Sequence, residues 1–353
     1  MRSFRSGRLS TLNLPTGTVW LLTDIAEAKG RQALYAKQAP QILRALREAA
    51  IVQSVESSNR IEGVTVAAER LRPLVVGRAR PRDRSEEDIR GYSQALSLIH
   101  TNSRDLPITP EVLKRLHRTA QQGIRDAGQW KQIANEIVEF RPGGPPIVRF
   151  RPVSVAETPA ATDELCLSYR HALTQENIPP LVTVAALVLD FLCIHPFRDG
   201  NGRVARLLTL LAVYHHGFEV GRYISLERLI EESKDDYYEA LFRSSQGWHE
   251  GQHDLLPWLN YFLMILQRAY AEFELRVGQM KSPRGAKTAL VEASIAAFPG
   301  EFTLANLERA CPGVSRDMIR RVLRDLQKSG HVTCIGRGPG APWRRKGNTL
   351  KRG

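Results

Sequence analysis

Apolar residues recur every three or four positions along most of this chain, the spacing of amphipathic helices. Residues 18–59 place Leu, Ile, Val and Ala on recurring faces and predict two helices, the second stopping near Gly63. An arginine-rich loop, VVGRARPRDRSEED, follows. Ser85 with Asp88 three positions on reads as a capping box that opens a helix through about His100. Helices over 109–123 and 158–175 each open on Thr-Pro. Between them the period changes. NEIVEF and IVRF are short β-prone runs on either side of RPGGPP, a loop-linked hairpin at about 135–150. Two strands alone are marginal in water, so this hairpin must lean on the helices or move.

Pro179-Pro180 starts a helix over 181–194, and 204–216 is apolar nearly all the way round, the mark of a buried helix. Helices over 225–245 and 255–277 come next, and KSPRG at 281–285 reads as a linker. Beyond it lie three helices, 287–297, 303–310 and 315–330, a strand HVTCIG and a basic tip RGPGAPWRRKG. That order predicts a winged helix-turn-helix. The expected fold class is mainly α: a helical bundle with a β-hairpin flap, plus a C-terminal winged helix. The expected regions are 1–100, 101–278 and 286–353.

Composition changes this picture in one place. The 353 residues carry a formal net charge of +13. Residues 281–353 hold 15 Lys and Arg against 5 Asp and Glu, so +10 of that charge lies there and only +3 in the first 280 residues. A basic module on a near-neutral body points to a polyanionic partner. Arg316, Arg320, Arg321 and Arg324 recur along the third helix, where a DNA reader meets phosphates and base edges. Protein docking is the alternative use of the same module. Cys166, Cys193, Cys311 and Cys334 form no CxxC pair, the usage of a reducing compartment. No run is apolar for 18 residues, so no membrane partner is expected. The basic N-terminus lacks an apolar core and reads as a frayed tail rather than a secretory signal. A cytoplasmic protein is expected.

One stretch concentrates chemistry: HPFRDGNGRVARLL, from His195 to Leu208. The loop Asp199-Gly200-Asn201-Gly202 precedes a helix, where free N–H groups and the dipole favour an anion. Two glycines let the backbone turn its N–H groups inward, the nest geometry of phosphate sites. Arg203 and Arg206 lie three apart and supply guanidinium clamps. Asp199 is a hard oxygen ligand suited to Mg²⁺ beside a polyphosphate. His195 takes a proton near neutral pH. The sum is a nucleotide polyphosphate site with a general base.

The stretch matches HxFx(D/E)GNGRxxR at every fixed position, and on it the chain resembles the Fic (Fido) family of protein adenylyltransferases. More loosely the resemblance runs over 18–277. It implies a Fic-type bundle that moves AMP from ATP to a Ser, Thr or Tyr hydroxyl of a target protein, with Mg²⁺ or Mn²⁺ and release of diphosphate. It assigns the hydroxyl proton to His195, the metal to Asp199, and the phosphates to Gly200, Asn201, Gly202, Arg203 and Arg206. Phe197 would anchor the loop in the core. Gly202 stands where the phosphorylating Doc-type branch typically has lysine, which favours AMP transfer. The flap would lie on NEIVEF, with Glu136, Ile137 and Val138 at the site, and would align the target by strand addition. Trp130-Lys131 is a fair match to an aromatic-arginine pair. YYEAL puts Tyr237 beside the base, with two core aromatics as the plainer reading; Ser245 stands where some relatives have Asn. Fic proteins often dimerise and self-modify, so a second copy is counted among the partners.

SSNRIEG, Ser58 to Gly63, resembles the family's inhibitory motif (S/T)xxxE(G/N). Ser58 and Glu62 share a helix face. The resemblance implies that Glu62 pairs with Arg206 in place of the ATP γ-phosphate, in the class with an N-terminal inhibitory helix. In some relatives the same glutamate positions a water that removes AMP, and the sequence leaves that direction open. The alternative from another class is a nucleotide-sensing DNA-binding regulator whose Fic fold is not catalytic. HEGQH has metal-like spacing at His249 and His253, but Gly247 and Gly251 favour a loop; GRGPGA, with no helix after it, reads as a wing.

Overall fold

The structure, a computed structural model, describes residues 1–346 except 6, 39, 140–146, 281–285, 299, 312–313, 337 and 339. The 281–285 linker, the RPGGPP turn with Phe140, part of the basic tip and residues 347–353 lie outside the described residues. The chain forms two compact units: 1–32 with 50–271, and 33–49 with 272–353. The first unit therefore draws on both of the expected regions 1–100 and 101–278.

The first unit is built around α7 (Pro180–Ile194), which opens on Pro180 and buries every side chain from Leu181 to Ile194 except Leu192. A helix apolar all round must be covered on all sides. Beside it pack α6 (Thr158–Thr174) and α8 (Asn201–His215), and α8 also meets α4 (Arg84–Asn102) and α5 (Pro110–Ala120). Helices α1 (Thr16–Gln38), α2 (Pro40–Ile61) and α3 (Ala68–Val75) precede them. The hairpin pairs β1 (Ile137–Glu139) with β2 (Ile147–Phe150), antiparallel, with a bulge between Ile137 and Val138. Helices α9 (Leu226–Glu232), α10 (Lys234–Ser245) and α11 (Leu256–Met280) follow. The β2 strand leans on α10, as a two-stranded ribbon requires.

Four local readings are corrected. The cap of α4 is Asp83, whose carboxylate accepts the Glu86 N–H at 2.9 Å, so Ser85 and Asp88 are not a capping box. Asp88 is buried instead, as described below. Helix α3 lies in a stretch that no period announced, because Pro73 stands within it and only Leu71 and Leu74 are buried. The run over 225–245 breaks at Ser233 into α9 and α10. The N-terminal segment is not frayed. Ser3 donates its N–H and hydroxyl to the Asp190 carboxylate at 3.1 and 2.6 Å, and its hydroxyl lies 2.9 Å from His253. Asp190 also accepts the Trp248 indole N–H at 2.6 Å. A buried carboxylate needs such donors, and burial still pushes its pKa up.

The second unit packs α12 (Ala286–Ala297), α13 (Leu304–Ala310) and α14 (Arg316–Lys328) with the antiparallel strands β3 (Val332–Cys334) and β4 (Trp343–Arg345). Its core includes Val291, Ile295, Phe302, Leu307, Ile319 and Leu323. Phe302, before α13, exchanges two backbone hydrogen bonds with Trp343. Thr303 and Asn306 form a reciprocal capping box on α13. Among the described residues no helix is long and apolar enough to cross a membrane.

Candidate functional site

The buried helix α7 ends in a left-handed residue, His195, at φ +50°. A histidine there is uncommon, because such a φ strains residues with a Cβ. The turn is held from several sides. The Lys131 N–H donates to the Pro196 carbonyl at 2.9 Å, and the buried Lys131 ammonium donates to the Ile194 carbonyl at 3.1 Å. Burial lowers that ammonium to about 8. Phe197 is fully buried and stacks on the His117 ring at 3.9 Å. The Asn201 side chain accepts the Phe197 N–H at 3.0 Å and donates to the Phe197 carbonyl at 2.8 Å, which closes the loop.

His117 fixes the other side. Its Nδ1 accepts the Gly128 N–H at 2.8 Å, so Nε2 carries the proton and donates to the Asp199 carbonyl at 3.0 Å. The ring is neutral, burial lowering it to about 4. Gly200 is left-handed at φ +75°, and a Cβ there would strike Gln121 at 2.2 Å. It supplies no side-chain cap, so the first turn of α8 presents bare N–H groups.

A cleft of about 680 Å³ opens above this turn. His195, Asp199, Gly200, Asn201, Gly202 and Arg206 line it from the motif. Glu62 lines it from the end of α2, and Ile137 and Val138 from β1. The His195 Nδ1 lies 3.3 Å from the Leu192 carbonyl, which leaves Nε2 to the cleft. Burial lowers the imidazole to about 4, and the Leu192 carbonyl partly opposes the shift. The Asp199 carboxylate is exposed and accepts the Gly200 N–H at 2.6 Å through Oδ1.

At the start of α8 a carboxylate of the protein meets a buried guanidinium. Arg206, buried, donates from Nη2 to Glu62 Oε1 at 2.7 Å and to the Ser58 carbonyl at 3.0 Å. Its Nε donates to the Ser58 hydroxyl at 2.9 Å. Burial alone would lower the guanidinium; Glu62, with Tyr237 and Tyr92, more than offsets it and the net direction is up. A Cβ at Gly202 would stand 2.5 Å from Glu62 Oε1, so the carboxylate rests directly against the start of α8. Ser58 and Glu62 thus meet Arg206 together.

Two expected site residues sit outside the cleft, and a third lines it as a buried ring. Arg203 does not line the cleft. Its guanidinium is buried against Asp88 at 3.1 Å, with Asn59 at 3.4 Å, because three residues turn the helix by 300°, enough to aim it at α4. Glu136 is outside the lining and pairs with Arg151 at 2.9 Å. It lies just before β1, ahead of the two strand residues that reach the cleft. Tyr237 reaches the lining but is a buried ring packed edge-on to Trp258 at 5.8 Å; the exposed ring at the cleft is Tyr238. Ser245 lines the cleft and donates to the Phe242 carbonyl at 2.9 Å. His249 and His253 serve separate hydrogen bonds, to the Arg151 carbonyl and to Ser3.

Sequence reasoning missed the groups that hold α2 in place. Glu227, buried on α9, accepts the Tyr92 hydroxyl at 2.9 Å and the Ser54 hydroxyl at 2.7 Å. Only long-range contact reveals this carboxylate, since LERLIEE reads as an ordinary helix. Glu227→Ala leaves two buried hydroxyls without their acceptor, each worth about 1–3 kcal/mol. The expected loss is about 2–4 kcal/mol in a urea unfolding titration; a loss below about 0.5 kcal/mol would contradict the contact.

The molecule is thus a helical bundle with bare N–H groups at the start of a buried helix, facing a cleft. Residues 107–213 match the Fic/DOC family, and this segment of the chain is a Fic domain. The chain is 24% identical over 234 residues to the protein adenylyltransferase Fic of Nematostella vectensis, covering 64% of this chain and 49% of that one. It is 30% identical over 106 residues to the protein adenylyltransferase fic-1 of Caenorhabditis elegans, covering 30% and 18%. The chain thus spans half or less of these relatives. Its fold resembles a Fic family protein from Desulfovibrio desulfuricans at TM-score 0.60 and 22% identity, over 95% of this chain and 98% of that one.

Proposed function

We propose that this chain transfers AMP from ATP to a hydroxyl side chain of a protein, and that Glu62 holds the site shut. The observation that carries the reading is a carboxylate in the anion position, bonded to Arg206 and resting on Gly202. Such a place suits the terminal phosphate of a nucleotide, which would compete for the same guanidinium.

The His195 Nε2 takes the proton of the target hydroxyl as its oxygen bonds to the α-phosphorus. The bond from that phosphorus to the bridging oxygen breaks, and diphosphate leaves with both electrons. A neutral imidazole is the right form for this at pH 7. Asp199 is exposed at the nest and would hold Mg²⁺, a fit for an ion that takes one or two carboxylates and completes its shell with phosphate and water. When bound, it would neutralise charge on the phosphates. Arg206 binds the terminal phosphates once Glu62 moves away. Ile137 and Val138 at the cleft edge favour a target segment laid along β1 as an added strand. Arg203 acts through Asp88, steadying α8 rather than touching the nucleotide. Four cysteines, all free, fit the reducing cytoplasm as the compartment.

The test compares α- and γ-³²P-ATP with Glu62→Gly protein and Mg²⁺, reading protein-bound counts. Label from the α position alone is the expected result. Label from the γ position would mean phosphoryl transfer and would overturn the reading of Gly202.

A further inference from the structure

The second unit presents a charged face that the nucleotide site does not use. Helix α14 buries Ile319, Val322 and Leu323 on one side. Its other side exposes Arg316, Arg320, Arg321, Arg324 and Lys328. Positions 316, 320 and 324 are successive i, i+4 steps, so their side chains form one row along the helix. The acids beside them are half-buried Glu308, which pairs with Arg316 at 3.1 Å, exposed Asp317, 3.7 Å from Arg320, and exposed Asp325. Pairs of this kind are weak in water and yield readily to a stronger polyanion. Arg344, Arg345 and Lys346 on and after β4 are exposed as well.

We infer that α14 is a recognition helix for duplex DNA, with the β3–β4 ribbon as its flanking wing. The topology supports the assignment. A helix, a single bridging residue at Phe302, two helices close in the chain, and a two-stranded ribbon succeed one another in the winged-helix order. Ser315 caps α14 by accepting the Met318 N–H at 3.3 Å, so the helix starts cleanly at Arg316. Its 13 residues make a rod of about 20 Å, which the major groove of B-DNA admits. The deep, narrow major groove of duplex RNA does not, which selects DNA among polyanions. The row of arginines would meet phosphates and guanine edges, and the ribbon's basic residues the adjoining backbone. This inference stands on the second unit alone and does not depend on AMP transfer.

The full chain is titrated against a short fluorescein-labelled DNA duplex of arbitrary sequence, by anisotropy at low and moderate salt. Three proteins are compared: wild type, the triple variant Arg320→Ala, Arg321→Ala, Arg324→Ala, and a control triple variant Arg78→Ala, Arg80→Ala, Arg82→Ala in the exposed arginine loop of the first unit. All six side chains are exposed, and circular dichroism melts confirm folding. The α14 variant is expected to bind about tenfold more weakly or worse, with a salt slope smaller by about 2–3. The control is expected to bind within about twofold of wild type, since its arginines are not aligned for a groove. Equal weakening in both triples would show diffuse charge attraction and overturn the assignment. So would absence of duplex binding at low salt, the outcome expected of a protein-docking surface, or equally tight binding of a duplex RNA of the same sequence.

Discussion

Replacing Glu62 with Gly is expected to raise AMP transfer by about ten- to a hundredfold while lowering the stability of the protein. The two effects come from one contact. Arg206 is buried, and Glu62 Oε1 sits 2.7 Å from its Nη2. A charge-assisted hydrogen bond of this kind is worth about 1.5–3 kcal/mol, and each 1.4 kcal/mol is tenfold in an equilibrium. The Glu62 side chain keeps 30% of its exposure, so the lower part of that range applies. Removing the carboxylate frees the guanidinium for phosphate and leaves it less well compensated when no nucleotide is bound. The variant should therefore melt at a lower temperature than wild type without ATP and recover most of the difference with MgATP. Initial rates of label incorporation and paired thermal melts check both halves. Unchanged rate with unchanged melting would mean the pair neither restrains the site nor holds the helix.

Replacing His195 with Ala should reduce transfer by about 10²–10⁴-fold and leave ATP binding within a few-fold, because the ring acts on the proton and not on the phosphates. The pH profile carries further information. Burial is the largest cause that lowers His195, to about 4, and the Leu192 carbonyl opposes it. A base with a lowered pKa stays unprotonated, and so active, down to that lowered value. Transfer by Glu62→Gly protein is therefore expected to stay level from pH 8 to about 6 and to fall only below that, whereas an ordinary histidine would lose half its base form near 6.5. A rate that halves between pH 7 and 6 would place the proton acceptor elsewhere.

The parts of the site that were legible in the sequence are those set by local geometry. A buried helix, a helix-breaking His-Pro, two glycines and a new helix define the nest by spacing alone. The turn at Gly200 and the buried Phe197 fall where that spacing puts them, although Asn201 and Gly202 already belong to α8 and the left-handed His195 was not foreseen. Ser58 in the last turn of α2 and Glu62 just past its end do both reach Arg206. What was not legible depends on partners distant in the chain. Arg203 looked like a second phosphate clamp, but Asp88, read as a cap, takes it. Glu227, Tyr92 and Ser54 lie on three separate helices, and no local pattern joins them. Asp190 broke an apolar run without explanation until Ser3 and Trp248 were seen around it. Helix α3 was hidden by Pro73, and Arg151 holds Glu136 outside a cleft that its neighbours line.

Glu62 and a nucleotide phosphate are expected to compete for the Arg206 guanidinium, and a double-mutant cycle on ATP affinity reads that competition. Calorimetric titration with MgATP would use wild type, Glu62→Gly, Arg206→Ala and the double variant. Glu62→Gly is expected to tighten ATP binding about tenfold when Arg206 is present and to change little when it is absent, a coupling of about 1.4 kcal/mol. Equal tightening in both backgrounds would show that Glu62 acts without Arg206, and the competition account would fail.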